Sequence, residues 1–476
     1  MTDTLRDPSP LILETATTIP ATGGDWEVVR RLRTAVSTQL SERLRTRPDT
    51  SRDSQRELAR ALATRAVADW ADQQATSSGR TPSLAEEAWL ADAVLASIFG
   101  LGRIQSLVDD PSVENVDIAG CDRVWLEFAD GRIEPGPPVA DTDVELVETL
   151  QSFATYLGQT SRSFSTAHPM LRLKLPDGSR LTAVMAVTPR PEVHIRRHRL
   201  LDVTLDRLAT LGTLDPALVG LLRAAMAARR NIVVTGTVNV GKTTLIRALA
   251  GEIAPLERVV TIEKEYELLL HDLPDRHARV VAMEAREGNA EPGLGDSSAG
   301  AGEVSLARLL ETALRMNPRR IIVGEVLGDE IVPMLRALAS GTSGSLCTIH
   351  ARTARGVFDR IAELGLCAPE RIPIEASHLL AANGIDLVVH LDMTDERATG
   401  GGLHRYVASI LEVAGIGENG RPATNELFTQ GPDGRAVPSG TPPSPRLLDA
   451  LTQAGFDPSL LDYTAGLWPT DRGRRP

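Results

Sequence analysis

One stretch of the chain, residues 231–247 (NIVVTGTVNVGKTTLIR), constrains the fold more than any other. The short apolar run at residues 232–234 predicts a buried parallel strand, and Leu245, Ile246 and Leu249 follow at helical spacing. A Gly-x4-Gly-Lys-Thr pattern lies between these two segments. A glycine-bounded loop that follows a strand and opens a helix is typical of a phosphate-binding P-loop.

In such a loop, backbone N–H groups converge on phosphate oxygens, and the helix N-terminus adds partial positive charge. The ammonium of Lys242 is predicted to reach the β- and γ-phosphates, and the Thr243 hydroxyl to ligate Mg²⁺. A chance match is the alternative, but the flanking segments fit and lysine is scarce, occurring only at positions 174, 242 and 264. The predicted nucleotide-binding residues are Gly236, Thr237, Val238, Asn239, Val240, Gly241, Lys242, Thr243 and Thr244.

Length and composition place the chain among soluble, multidomain proteins. Its 476 residues suggest roughly two to four domains. A net charge of −12 argues against non-specific nucleic-acid binding. Cys121, Cys347 and Cys367 lack the spacing of a zinc site or a disulfide framework. No apolar run approaches the ~20 residues that span a bilayer, and the N-terminus lacks a signal peptide's features. We therefore expect a cytoplasmic protein without a transmembrane segment.

Changes in pattern along the chain predict its organisation. Residues 1–24 are expected to be loose, 25–100 helical, and 101–200 a small α+β domain of short strands and turns. Residues 201–400 alternate strands and helices, which predicts an α/β domain with a parallel sheet. Within it, the Gly/Ser-rich residues 284–302 are expected to form a flexible excursion, and the strand at 387–391 to close the sheet. Residues 401–476 are predicted to form a hairpin and a terminal helix.

Polar residues end several of the predicted strands. Glu263 ends the strand at 259–262, Glu325 ends the strand at 320–324, and His350 ends the strand at 345–349. Because the carboxyl ends of parallel strands meet at one edge of a sheet, these side chains are expected to cluster beside the loop. Each residue could instead be an ordinary exposed strand end. We favour a functional cluster, since hydrolysis of a nucleoside triphosphate needs an acid near Mg²⁺ and water, and a group that senses the γ-phosphate.

The order of these segments resembles the secretion ATPases of type II and type IV systems. The matching blocks are the Gly-x4-Gly-Lys-Thr loop, TIE at 261–263, RIIVGE at 320–325 and GSLCTIHA at 344–351, and they are similar to that family's Walker A, Asp box, Walker B and His box. The segments at 110–127, LPDGSRLTAV and HIRRH resemble its N-terminal domain. The closest resemblance is to the CpaF-like ATPases of tight-adherence pili, since the four-cysteine motif of type II assembly ATPases is absent.

This resemblance implies RecA-like domains in a hexameric ring that hydrolyses ATP with Mg²⁺. The ring would move a pilus or secretion machine through an inner-membrane platform protein, from the cytoplasmic face of the membrane. By position, Glu325 is the candidate general base, Glu263 an acid that holds Mg²⁺ through water, and His350 a γ-phosphate sensor. Arg180 and Arg196 match arginines that contact phosphate, often across the subunit boundary, because a guanidinium pairs two oxygens at once. They could also be exposed strand residues in an arginine-rich chain.

Several positions depart from the family pattern. Thr237 and Asn239 replace interior glycines of the loop, and Asn239 is a suitable substitute because asparagine tolerates positive φ. Lys264 stands where an acid is usual, and Leu327 where an arginine is usual. These changes leave open an alternative, a nucleotide-binding assembly or regulatory subunit with little turnover. A second alternative, a nucleic-acid translocase, is disfavoured by the acidic charge.

Overall fold

The computed structural model describes residues 25–46, 51–128, 130–157, 164–197, 202–286, 303–339, 341, 343–397 and 401–468. The chain divides into two compact units, residues 1–197 and residues 198–476. The predicted loose N-terminus lies outside the described residues, as does most of the predicted excursion. Of that excursion, Glu284 belongs to a strand and residues 285 and 286 are described.

The first unit begins with helices that have a core of their own. Their bounds are α1 Trp26–Arg45, α2 Arg52–Ser78, α3 Leu84–Phe99 and the short α4 Gln105–Asp109. The side chains of Asp25, Ser51 and Ser83 cap α1, α2 and α3, which satisfies N–H groups that have no partner within a helix. Buried apolar residues at helical spacing, including Val36, Leu62 and Leu90, form one cluster between these helices.

A six-stranded antiparallel sheet with helix α5 completes the first unit. Its strands are ordered β3-β2-β1-β6-β5-β4, and their residues alternate between buried and more exposed positions, as expected when one face covers a core. The bounds are β1 Val113–Ala119, β2 Arg123–Phe128, β3 Ile133–Gly136, α5 Asp143–Tyr156, β4 Met170–Lys174, β5 Arg180–Val184 and β6 Glu192–Arg196. Strands β4 and β5 pair as a hairpin whose turn contains Pro176-Asp177-Gly178.

The second unit is built on a nine-stranded sheet of order β15-β14-β13-β12-β7-β11-β10-β8-β9. The strands from β12 to β9 in this order pair in parallel, and helices connect many of them. Their bounds are α6 Leu205–Thr210, α7 Pro216–Ala227, β7 Ile232–Gly236, α8 Lys242–Ala250, β8 Val259–Glu263, β9 Val280–Glu284, α9 Leu306–Leu314, β10 Arg320–Val326, α10 Ile331–Ala339, β11 Leu346–His350, α11 Gly356–Cys367, α12 Ile374–Gly384, β12 Leu387–Asp395, β13 Leu403–Ile416, β14 Pro422–Gln430, β15 Ala436–Pro438 and α13 Pro445–Gln453.

Strand β7 reads as a continuous apolar run because helices cover both faces of the sheet. Ile232 and Val234 belong to the cluster that contains α7 and α8, whereas Val233 belongs to the cluster that contains α9 to α12. Every residue of β7 is buried. This arrangement positions the loop after β7 at the carboxyl edge of the parallel strands, where α/β folds bind ligands.

The prediction that the strand at residues 387–391 closes the sheet is wrong. Strand β13 pairs antiparallel with β12, and β14 and β15 extend the sheet further. The reason lies in β13, where residues 406–413 are buried without alternation, as in a strand covered on both faces. The predicted hairpin is therefore present, but its strands are part of the same sheet. Among the described residues, no helix is both long enough and apolar enough to cross a membrane.

Candidate functional site

The loop between β7 and α8 adopts a backbone that few residues permit. Gly236, Asn239 and Gly241 have φ values of 150°, 63° and 94°. A Cβ at Gly236 would lie 2.5 Å from the carbonyl oxygen of Leu391, so the position accepts glycine alone. Asn239 takes the left-handed conformation without being a glycine, as its side chain predicts. The loop thus adopts the sharp turn of a phosphate-binding loop, with Asn239 in place of a glycine.

Helix α8 begins at Lys242, directly after this turn. Gly241 is its N-cap residue, and within the described chain no side chain caps the first turn. The first N–H groups of a helix have no intrahelical partner, and together with the helix dipole they favour an anion. The backbone at this position is therefore suited to phosphate oxygens.

Lys242, His350 and Glu325 form a chain of contacts beside the loop. Lys242 Nζ donates to the carbonyl oxygen of Thr237 at 2.7 Å and lies 3.1 Å from His350 Nδ1. His350 Nε2 lies 2.5 Å from Glu325 Oε1. Because an ammonium has donors only, Nδ1 must accept from Lys242, which places the imidazole proton on Nε2, facing the Glu325 carboxylate. The structure brings these predicted residues together at the carboxyl edge of the sheet.

Thr243 contacts an acid that the sequence analysis missed. Its Oγ1 donates to Glu267 Oε2 at 3.0 Å. Glu267 is held in turn by Glu263, whose Oε1 accepts the N–H groups of Glu267 and Leu268 at 2.9 and 2.8 Å. The buried Arg247 also donates to the carbonyl oxygen of Glu267. The available signal was the local sequence, since Glu265 and Glu267 both follow Glu263 within four residues.

Glu263 is 2% exposed and packs against the next strand. A Cβ at Gly324 of β10 would come within 2.9 Å of Glu263 Cγ, so the absence of a side chain at Gly324 makes room for this acid. The neighbouring residue on β10 is Glu325. The two strand-end acids therefore differ in environment: Glu263 is enclosed and bound to backbone N–H groups, whereas the Glu325 side chain is 40% exposed.

Two further polar residues lie beneath the loop and were not singled out from sequence. Thr235 of β7 is paired in register with His390 of β12, and both side chains are buried. Burial lowers the pKa of His390, because a charged imidazolium loses its hydration; nearby Asp392 opposes this shift and Lys242 adds to it. Strand β13 also contributes a residue, Arg405, whose Nε donates to the carbonyl oxygen of Asn239 at 2.7 Å.

Arg180 and Arg196 both belong to the first unit. They face each other as register partners on the neighbouring strands β5 and β6. Lys174 of β4 is the register partner of Arg180, so a row of cations crosses this end of the sheet. The role of these arginines at the phosphates stays a prediction.

The described side chains at this site offer few ligands for a metal ion. Within the part of the chain that the structure describes, no group of three or more His, Cys, Asp or Glu side chains is arranged to hold a metal ion. Mg²⁺ in phosphate sites is commonly bound by one or two side chains together with substrate phosphates and water. The Thr243 hydroxyl and the adjoining Glu267 carboxylate fit that smaller role.

A core of parallel strands with helices on both faces, and a glycine-bounded turn after its central strand, places the second unit in the α/β class of folds. The chain belongs to the type II/IV secretion system protein family, whose model matches residues 99–397. A putative conjugal transfer protein of Mycobacterium tuberculosis is 32% identical over 300 residues, which cover 61% of this chain and 80% of that protein. The type IV secretion system protein PtlH of Bordetella pertussis is 34% identical over 315 residues, 60% of this chain and 86% of the relative.

A solved structure is also similar. The crystal structure of the VirB11 ATPase from the Brucella suis type IV secretion system, in complex with sulphate, has 28% sequence identity to this chain. The match covers 66% of this chain and 93% of that one, with a TM-score of 0.33. Together with family membership, the nine-stranded sheet confirms the predicted fold class, an α/β RecA-like domain preceded by helices and a small α+β region.

Proposed function

We propose that this protein is a Mg²⁺-dependent ATPase that powers a secretion or pilus-assembly machine. The observation that carries the proposal is the chain of contacts from Lys242 through His350 to Glu325, immediately beside the turn that precedes α8. A lysine for phosphate, an imidazole and a carboxylate at one sheet edge are the parts that hydrolysis of a nucleoside triphosphate requires. The relatives named above, a secretion protein and a putative conjugal transfer protein, support the part of the proposal that concerns secretion.

The residues have distinct tasks in this mechanism. Backbone N–H groups of the loop and of the start of α8 bind the β- and γ-phosphates, and Lys242 exchanges its contact with Thr237 for phosphate oxygen. Glu325 orients a water molecule and accepts its proton as the water oxygen bonds to the γ-phosphorus and the bridging P–O bond breaks. His350 contacts both Lys242 and Glu325. Its imidazole is therefore placed to couple the binding of a γ-phosphate by Lys242 to the Glu325 carboxylate.

The metal would be held by few protein atoms. Thr243 Oγ1 is the candidate ligand, Glu267 is the acid that contacts it, and Glu263 acts through water or by holding the Glu267 backbone. When bound, Mg²⁺ supplies positive charge that neutralises the phosphate oxygens. Lys264, which stands where the family has an acid, is exposed, so its positive charge is largely screened by water.

The wider assembly is part of the proposal, and membership of the secretion-system family supports it. We place the protein in the CpaF-like branch, as a hexamer on the cytoplasmic face of the inner membrane, acting on a platform protein there. Arg180 and Arg196 would contact the phosphates, within a protomer or across the subunit boundary. Each guanidinium presents its N–H donors in a fixed fork that matches two phosphate oxygens, and the two arginines are register partners on adjacent strands.

Steady-state ATP hydrolysis by the purified oligomer tests the proposal. We expect Lys242→Ala to lose ATP binding and Glu325→Gln to bind ATP while hydrolysing it at least about a hundredfold more slowly, the usual contribution of a general base. Glu370→Gln changes an exposed glutamate of the same unit and serves as the matched control. Equal turnover in wild type and Glu325→Gln, with ATP bound by both, would contradict the motor.

That contrary outcome would instead support the alternative of a nucleotide-binding assembly or regulatory subunit. Leu327, 41% exposed where the family has an arginine, is the observation that favours this alternative. The other alternative, a nucleic-acid translocase, predicts that DNA or RNA stimulates hydrolysis. The net charge of −12 argues against it, and measurement of turnover with and without nucleic acid decides the matter.

A further inference from the structure

Strand β13 supplies a side chain that reaches the back of the phosphate loop. Arg405 Nε donates to the carbonyl oxygen of Asn239 at 2.7 Å. A Cβ at Gly241 would lie 3.9 Å from Arg405 Cδ, so the aliphatic part of the arginine lies within van der Waals distance of the loop. Arg405 is in register with Met393 of β12, and β12 in turn pairs with β7. The loop is therefore contacted by a residue 166 positions further along the chain.

This contact acts on the one interior loop residue that adopts a left-handed backbone without being a glycine. Asn239 has a φ of 63°, a conformation that costs free energy for any residue with a Cβ. A trans peptide holds its C=O and the following N–H on opposite sides of the chain. When Arg405 fixes the carbonyl of Asn239, it also fixes the direction of the Val240 N–H.

We propose that Arg405 is a positioning residue for the phosphate loop: it holds the peptide between Asn239 and Val240 in the orientation that presents the Val240 N–H to an anion. The interior of this loop has no glycine, so the left-handed backbone at Asn239 costs free energy. The hydrogen bond from Arg405 stabilises the conformation that a glycine would adopt without that cost. The inference rests on the proposed function only in that the loop binds nucleotide. It makes the C-terminal strands part of the nucleotide site.

Isothermal titration of the full-length oligomer with ATP and with ADP tests this inference. We expect Arg405→Gln to weaken both affinities about tenfold, the loss of one hydrogen bond from a charged donor. The turnover rate at saturating ATP should change little, so that KM rises while kcat is kept. Arg421→Gln is the matched control, since Arg421 lies in the turn immediately before β14 and pairs with Asp359. The affinities of this variant should equal those of wild type.

A double-variant cycle separates positioning from a simple charge or stabilising role. In an Asn239→Gly background the left-handed peptide is no longer costly, so Arg405→Gln should weaken binding only about two- to threefold. An undiminished tenfold loss in that background would overturn the proposal in favour of a charge effect. Arg405→Lys keeps the charge but not the geometry of the guanidinium, and should bind nearly as weakly as Arg405→Gln.

The outcomes distinguish this inference from the proposed function. If wild type binds ATP and Lys242→Ala does not, while Arg405→Gln and Arg405→Lys bind as wild type does, Arg405 has no positioning role. If wild type itself fails to bind ATP, the proposed function is wrong, and the failure appears before any Arg405 variant is measured. Should Arg405→Gln fail to fold, Arg405→Lys provides the same comparison, with thermal melting without nucleotide recorded for each.

Discussion

Gly236, Asn239 and Gly241 all have positive φ, but their surroundings differ. A Cβ at Gly236 would meet the backbone of Leu391 at 2.5 Å, whereas at Gly241 the nearest atom would be 3.9 Å away. Gly236 is therefore limited by both conformation and space, while Gly241 is limited by conformation. Asn239 shows that the interior of the loop tolerates a side chain that points away from crowded atoms.

Substitution of Gly236 by alanine is expected to destabilise the second unit strongly. The left-handed backbone costs about 1 kcal/mol and overpacking against Leu391 a further 1–3 kcal/mol. Gly212→Ala is the control, since Gly212 has a φ of 75° but no atom within 4 Å of its added Cβ. Urea unfolding should give a loss of about 1 kcal/mol for Gly212→Ala and clearly more for Gly236→Ala. Equal losses would show that the contact with Leu391 does not matter.

Two buried histidines of the second unit predict a dependence of stability on pH. Burial lowers the pKa of His390 and of His277, and for His277 the nearby Arg276 adds to the effect. In the unfolded chain these groups titrate near 6.5. Their contribution to stability is therefore fully present above about pH 7. It is lost as the pH falls below 6.5 towards the folded-state values, because the unfolded chain then binds more protons.

Urea unfolding between pH 7.5 and 5.5 checks this expectation. The free energy of unfolding should fall with decreasing pH by up to about 1.4 kcal/mol per pH unit for each histidine. Replacing both residues, as in His277→Asn with His390→Asn, should flatten this part of the profile. A profile equally steep in the double variant would mean that other groups cause it.

At the scale of elements, the strands β13, β14 and β15 are part of the main sheet of the second unit and do not form a separate tail. They continue the sheet that contains β7, and residues of β13 and β14 enter the same apolar cluster as the P-loop strand and helix α8. Phe428 of β14 is fully buried in this cluster, whereas Ile416, at the end of β13, is 46% exposed. The same hairpin thus offers a core position and a surface position for comparison.

Phe428→Ala is expected to destabilise the second unit by about 3–5 kcal/mol, the usual effect of removing a buried aromatic side chain. Ile416→Ala, on the same hairpin, should cost less than about 1 kcal/mol because little apolar area is lost. Thermal melting followed at a probe near the phosphate loop should show the Phe428 effect as one cooperative transition. A loop that melts unchanged would mean that the hairpin folds independently of the sheet.

At the scale of the whole molecule, the candidate site residues are divided between the compact units. The loop, Lys242, Thr243, the strand-end acids and His350 all belong to residues 198–476, whereas Arg180 and Arg196 belong to residues 1–197. Under the proposed function, the second unit therefore contains the groups that would bind a triphosphate and activate water. Under the proposed function, the two arginines would act either within their own protomer or on a neighbouring one.

Subunit mixing distinguishes these possibilities under the proposed function. Arg180→Gln with Arg196→Gln in one chain, and Lys242→Ala in another, should each reduce turnover at least about a hundredfold when assembled alone. If the arginines act across the subunit boundary, oligomers mixed from the two inactive chains will regain part of the activity, since some interfaces combine an intact loop with intact arginines. If they act within a protomer, mixing will restore none.

The sequence by itself determined the parts of this protein that depend on local patterns. The strand–loop–helix at residues 231–247 follows from a short apolar run, bounding glycines and helical spacing, all of which lie within this one segment. The convergence of Glu263, Glu325 and His350 at one sheet edge follows from a general rule, since each is the last or the next-to-last residue of a parallel strand. The sequence also predicted that Asn239 can replace a glycine, because few residue types adopt a positive φ.

Only the tertiary structure decided the contacts that join distant segments. Arg405 reaches Asn239 and Arg247 reaches Glu267 through side-chain directions that no sequence period specifies. That β12 is an interior strand became visible only from its pairing with β13, because a strand's own residues do not state whether both edges are bonded. Hydrogen bonding between strand edges is a property of the assembled sheet, so the sequence predicts which strands exist more readily than which neighbours they have.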